Sequence, residues 1–286
     1  MIMKNLLVVY YSQTGQLKDI ILNFTKPFEI IYHVDFAEIK CEKFVFPITC
    51  KQFFDVFPET VLKALCDIEV KIEGKSYDAI ILGFQPWFLH TSIPFNSFIQ
   101  TEQFKNLVKG KPVFLVMDSR NSWRNALHEV STTVESYQGI IRGKYVFRDT
   151  SKNLRGFIAL CYWLFTGKKK SSFMSIPQGG IEQEVINNAG LYGESALASL
   201  NLSDSIYSVI PSVSEEYTSL GYEQYAIAKY EKWANFISKD NFKHRKFRLA
   251  LFRIWILFML TFAAPVISRI KKKKRTASSN QLLKIH

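Results

Sequence analysis

The chain alternates unbroken apolar runs with segments of helical spacing. Asn5–Tyr11 is apolar almost throughout, the pattern of a parallel strand buried on both faces. Leu17–Asn23 then repeats its apolar positions as a helix does, and Phe28–Val34 reads as a second strand. Phe44–Leu65 is less regular: Phe46-Pro47 and Phe57-Pro58 mark turns, and "PETVLKAL" reads as a short helix with Pro58 near its start. Tyr77–Gly83 predicts a third buried strand, Phe104–Val108 part of a helix ending at "KGKP", Pro112–Met117 a fourth strand, Ser122–Tyr137 a helix, and Gly139–Arg148 a fifth, more polar strand. Such alternation predicts right-handed βαβ units, a parallel sheet and helices on both of its faces. After Asp149 the regularity weakens. Leu154–Thr166 is apolar and is followed by Lys168–Lys170, Ile181–Leu200 predicts the helix that closes the sheet domain, and Val213–Ser238 a second long helix. This divides the chain into a sheet domain (1–205), a helical extension (206–242) and a basic, apolar tail (243–286).

Charge sharpens that division. The net charge is +12, but residues 243–286 hold 12 Lys/Arg and no Asp/Glu, which leaves 25 of each sign in residues 1–242. The neutral body argues against a nucleic-acid groove. A basic tail around an apolar run points to an anionic membrane surface. Cys41, Cys50, Cys66 and Cys161 form no C-x-x-C and have no histidine cluster beside them, so they read as reduced thiols of a cytosolic protein. The start of the chain shows no signal-peptide pattern. His33, His128, His244 and His286 show no metal spacing, and no metal is expected.

The first apolar run ends in Ser12-Gln13-Thr14-Gly15-Gln16-Leu17 and a helix follows at once. A buried strand that opens into a helix through a hydroxyl- and glycine-containing loop directs its amides and the helix dipole at an anion. Neither G-x-x-x-x-G-K-[ST] nor G-x-G-x-x-G is present. What is present resembles the flavodoxin phosphate loop, [ST]-x-T-G-x-[ST], with Leu17 departing from the final hydroxyl. The resemblance implies a doubly wound, flavodoxin-like α/β fold with five parallel strands in the order 2-1-3-4-5, and flavin mononucleotide (FMN) as cofactor. In that fold ligands sit beyond the carboxyl ends of the strands at the switch point. Strand three ends there in Gln85-Pro86-Trp87-Phe88, expected against the isoalloxazine ring, and strand four in Asp118-Ser119-Arg120-Asn121-Ser122-Trp123. Ser119, Arg120, Asn121 and Trp123 complete the expected flavin loops, with Arg120 and Asn121 placed to bond the ring's carbonyl edge. Ordinary core packing is the competing reading for Trp87 and Trp123.

Taken together, "YYSQTGQL", "YDAIILGFQPWFL", "SRNSW" and the basic apolar tail resemble the dialkylresorcinol-condensing protein family, the flavodoxin-like partners of a ketosynthase in bacterial dialkylresorcinol and flexirubin-type pigment pathways. That resemblance implies aromatisation of a dialkyl-cyclohexanedione to a dialkylresorcinol. The chemistry removes two electrons and two protons. It needs a hydride acceptor, a cation near the enolate oxygens and a base near the ring carbon. Arg120 is the candidate cation, Asp118, Tyr11 and His90 are candidate bases of which none stands out, and Asp118 as a helix cap is the alternative. His90 beside the third-strand loop reads as an unremarkable surface histidine.

Leu249–Ile267 is an apolar stretch with Arg253 as its one charge and basic residues on both flanks. Three arrangements stay open: a membrane-spanning anchor, a helix or hairpin lying in the cytoplasmic leaflet of the inner membrane, and a core helix. The expected partners are a lipophilic cyclohexanedione or quinone, a ketosynthase, anionic lipid and a second copy of the chain. An NAD(P)H:quinone reductase, an electron-transfer flavodoxin and a flavin-free scaffold of the ketosynthase are the competing functions.

Overall fold

The computed structural model describes residues 3–120, 122–151, 153–170, 177–200, 204–210, 216–239 and 244–259. In chain order it contains β1 (Lys4–Tyr10), α1 (Gln16–Thr25), β2 (Tyr32–Glu38), α2 (Cys50–Asp55), α3 (Phe57–Val61) and β3 (Ala79–Phe84). A short ladder β4 (Pro86–Trp87) and β5 (His90–Thr91) follows, then α4 (Ile93–Ile99), α5 (Glu102–Val108), β6 (Pro112–Ser119), α6 (Arg124–Ser136) and β7 (Ile140–Arg148). Next come α7 (Asn153–Thr166), α8 (Gln183–Asn187), α9 (Ala189–Ser199), β8 (Ile206–Ile210), α10 (Glu216–Ser238) and α11 (Arg245–Phe258).

One sheet organises the molecule. It has six strands in the order β2-β1-β3-β6-β7-β8, and every neighbouring pair is parallel. Five strands in the order 2-1-3-4-5 were expected. The difference comes from the β4–β5 ladder, which interrupts the chain between β3 and β6 without joining the sheet, and from β8, which adds a sixth strand at the edge. The central strands β1, β3 and β6 are buried on both faces, which explains their continuous apolar runs. One core packs α4, α5 and α6 against the sheet through Phe95, Phe98, Phe104 and Val130. The other packs α1 and α9 against the opposite face through Ile20, Phe24 and Ala196. The fold is α/β, doubly wound and flavodoxin-like, with its switch point between β1 and β3.

Several elements depart from the expectation. The second strand starts at Tyr32 rather than Phe28, because Lys26–Ile30 winds into a 3-10 turn with Pro27 at its start. That turn drops Phe28 into the core and leaves Ile30 and Ile31 exposed. The helix expected over Ile181–Leu200 breaks into α8 and α9 at Asn188. Residues 206–210, expected to open the helical extension, pair with β7 as β8.

The apolar tail also differs from expectation. Its first half is α11, whose Leu249, Phe252 and Ile256 are buried with Phe54 and Phe57 of α2 and α3 and with Ala234 and Ile237 of α10. Phe252 stacks on Phe57 at 3.8 Å between ring centres. Arg245 binds the Asp55 carbonyl and the Glu59 carboxylate, the latter at 2.7 Å, and so fastens the start of α11 to the same wall. Among the described residues no helix is long and apolar enough to cross a membrane. The rest of the apolar stretch lies outside the described residues.

Candidate functional site

The C-terminal ends of β1, β3 and β6 meet at a cavity of about 200 Å³. Its floor is polar and its walls are apolar. Gln13, Thr14 and Gln16 come from the first loop, Gln85–Phe88 from the second, and Asp118, Ser119 and Arg120 from the third. The opposite wall comes from α2 and α7, with Phe53, Val56, Leu160, Trp163 and Leu164. A larger, shallower groove at the other end of the sheet runs past Lys4, Tyr32 and Leu197 and brings none of these loops together.

Asp118 is the centre of the floor. Its Oδ2 accepts from Gln16 Nε2 at 3.1 Å and from Gln85 Nε2 at 3.0 Å, so one carboxylate oxygen ties all three loops together. Its Oδ1 is buried with no hydrogen-bond partner among the described residues. Burial pushes this carboxyl up to about 6, against the pull of the two amide donors. Gln16 is used twice, because its Oε1 also accepts from the Ile181 amide at 2.8 Å. Gln85 is used twice as well, its Oε1 accepting from the Gln13 amide at 2.9 Å. These side-chain bonds hold the first loop in shape, while Ser12 Oγ accepts from the Lys18 amide at 3.2 Å.

Gly15 has φ +85°, in the left-handed region, and a Cβ built there would meet nothing within 4 Å. The loop is therefore open at Gly15. Thr14 Oγ1 and Ser119 Oγ are buried with no hydrogen-bond partner among the described residues. The leading N–H groups of α1, from Gln16 onward, have no intrahelical acceptor, as at any helix start. Leu17 does not face this loop: it is fully buried in the core beneath α1, so a hydroxyl at this position would also be buried there.

The other expected residues fall into three groups. Pro86, Trp87 and Phe88 line the cavity, with Trp87 held edge-on by Phe44 at 5.1 Å and by Tyr11 at 5.9 Å. Tyr11 is buried behind Trp87, and burial, with the Cys41 and Cys66 thiols beyond, pushes its phenol far above the ordinary range. A phenol held that firmly protonated can donate but cannot serve as a base near neutral pH. Arg120 lines the cavity, and burial pulls its guanidinium down while Asp149 works the other way. Trp123 is in neither loop wall: it is buried in the core, against Tyr207 at 6.2 Å and under the Arg124 guanidinium at 4.4 Å. Asn121 lies outside the described residues.

His90 is a correction. It is buried, and its Nδ1 is 2.8 Å from Glu129 Oε1. A carboxylate can only accept, so Nδ1 carries the proton. Glu129 also accepts from the Thr91 amide at 3.1 Å and from Asn125 Nδ2 at 3.1 Å, and pairs with Lys63 Nζ at 3.1 Å. Burial opposes its ionisation, but the His90 bond and the nearby cations win and hold it at about 2. Glu129 thus latches the β4–β5 ladder, which carries Trp87, onto α6. The apolar wall and this latch are what the sequence reading missed. The i, i+4 pair Asn125 and Glu129 was visible on the predicted helix, but nothing local named its partners.

No family model and no curated protein matches the chain. Solved structures that the chain resembles include flavoproteins of low identity. A flavoprotein from Lactobacillus acidophilus in complex with FMN is 19% identical, covers 51% of this chain and 93% of its own, and has a TM-score of 0.41. Oxidised flavodoxin 1 from Bacillus cereus is 10% identical, over 68% of this chain and 98% of its own, at 0.39. A Fusobacterium nucleatum flavodoxin bound to flavin mononucleotide is 11% identical, over 69% and 97%, at 0.37.

Proposed function

We propose that this chain is an FMN-dependent oxidoreductase that aromatises a 2,5-dialkyl-cyclohexane-1,3-dione to a dialkylresorcinol, in concert with the ketosynthase that builds the dione. One observation carries the reading: a polar floor at the switch point faces an apolar wall supplied by α2, the residue after it and α7. The floor suits a flavin phosphate and ring edge, and the wall suits alkyl chains.

The residues present fit the cofactor. Open space at Gly15, the Thr14 hydroxyl, which has no partner among the described residues, and the Gln16 and Leu17 amides would form an anion cradle. Gln85, Pro86, Trp87 and Phe88, with Ser119 and Arg120, would hold the ring. FMN, when bound, supplies the hydride acceptor. Arg120 then stabilises the enolate oxygens of the dione, and Asp118 takes the proton from the ring carbon whose neighbour loses hydride. One hydride and one proton leave, and the ring gains one double bond and enolises to the resorcinol. Molecular oxygen or a quinone takes up the electron pair afterwards. The apolar wall excludes water from the exchange.

The test is single-turnover reaction of the FMN-loaded protein with a dialkyl-cyclohexanedione under anaerobic conditions. The expected result is bleaching of the flavin together with a product two hydrogens lighter. Rapid bleaching by NAD(P)H with none from the dione would instead identify a quinone reductase.

A further inference from the structure

α11 is apolar on two faces, and the core uses only one. Leu249, Phe252 and Ile256 face inward. Phe247 and Ile254 are 64% and 66% exposed, with Ala250 between them also exposed, a stripe at helical spacing on the outer side. The arginines of the helix are already engaged with the protein: Arg245 with Glu59, Arg253 with Asp55 at 3.8 Å, and Arg248 with the Lys239 carbonyl at 2.8 Å. Lys246 and His244 stay exposed beside the stripe. The chain that follows adds Arg269, Lys271–Arg275 and Lys284, and no acidic residue occurs after Lys243.

We propose that the outward face of α11 docks on an anionic lipid bilayer. An apolar stripe with the exposed Lys246 beside it, in a segment whose sequence holds no acid, matches acyl chains beneath anionic headgroups. A second copy matches less well, because the segment offers no acid to meet Lys246 of that copy. Spanning does not match either. Among the described residues α11 runs over 14 residues, about 21 Å at 1.5 Å per residue, too short to span, and its inward face is committed to the core.

The docking has a consequence for the cavity, which rests on the function proposed above. α2 is a shared wall: Phe53 and Val56 line the cavity, while Phe54 packs on Phe252 of α11 at 6.4 Å. Lipid docking would therefore place the apolar side of the cavity one helix away from the bilayer, where an alkylated ring partitions.

The test uses the full chain and sucrose-loaded vesicles, either phosphatidylcholine alone or with about a third phosphatidylglycerol. The wild type should sediment with the anionic vesicles, stay in solution with the neutral ones, and be released by alkaline carbonate. The double variant Phe247→Glu, Ile254→Glu should lose about tenfold or more in partition while keeping its melting temperature, since both positions are exposed. Equal binding by the double variant would overturn the proposal, as would resistance to carbonate. A change from dimer to monomer in the variant, with no vesicle binding by the wild type, would reassign the face to a chain–chain interface. Flavin absorbance is read separately in pellet and supernatant, so failure of docking and failure of the cofactor reading are told apart.

Discussion

At the scale of single residues, two carboxyls, the buried Asp118 and the half-buried Glu129, behave in opposite ways. Asp118 is raised from 3.8 to about 6 by burial, so between those values the folded protein holds a proton that the unfolded chain has released. Stability therefore falls as pH rises through that window, by roughly 3 kcal/mol, and is flat above it. Asp118→Asn keeps an oxygen for the two glutamine amides and removes the charge. It should melt several degrees higher than the wild type at pH 8, lose the slope between pH 4 and 6, and turn over about 100-fold more slowly or worse. A variant with wild-type turnover would remove Asp118 from the chemistry. Glu129 runs the other way: held at about 2, it contributes stability that is present above its ordinary value and lost as pH falls through the window below it. Asp118 was legible in the sequence because it ends an apolar run beside other loop residues. Glu129 was not, because its partners His90 and Thr91 are 39 and 38 residues away and meet it only through the fold.

At the scale of elements, what is local was legible and what is long-range was not. β1, β3 and β6 could be located from their unbroken apolar runs, and the loops after them followed from the topology of any doubly wound sheet. β8 is short and carries exposed Tyr207, so its apolar signal is weak until β7 supplies the edge it pairs with. The closing helix pair was misread as one helix because helical spacing continues across Asn188. Its placement depends on a close approach: a Cβ at Gly193 of α9 would lie 1.9 Å from the Phe24 carbonyl oxygen of α1. Backbone cannot rotate away as a side chain can. Gly193→Ala should therefore cost about 2–3 kcal/mol despite the better helix propensity of alanine, read as a lower denaturation midpoint. Unchanged or increased stability would mean that α9 does not sit this close to α1.

At the scale of the whole molecule, the neutral body and the basic tail are not separate objects. The C-terminal stretch looked like a membrane segment because it is apolar on every side, and sequence periodicity cannot say which side is claimed by the protein. The packing of Phe252 decides it for the first half. Phe252→Ala should cost about 3–4 kcal/mol in global unfolding. If instead the variant merely detached α11 and left the main transition unmoved, α11 would not be part of the core. The central claim concerns the cavity on the far side of α2, where three strand ends form a polar floor. The most direct measurement is the absorbance spectrum of the purified chain after incubation with FMN and gel filtration, beside that of Gly15→Asp. A Cβ there meets nothing within 4 Å, the strain of a side chain at φ +85° is shared by Gly15→Ala as the uncharged control, and the Asp carboxylate adds repulsion of a phosphate. The account predicts a retained flavin band near ~450 nm in the wild type that the variant loses. No retained flavin in the wild type, or equal retention in both proteins, would contradict it.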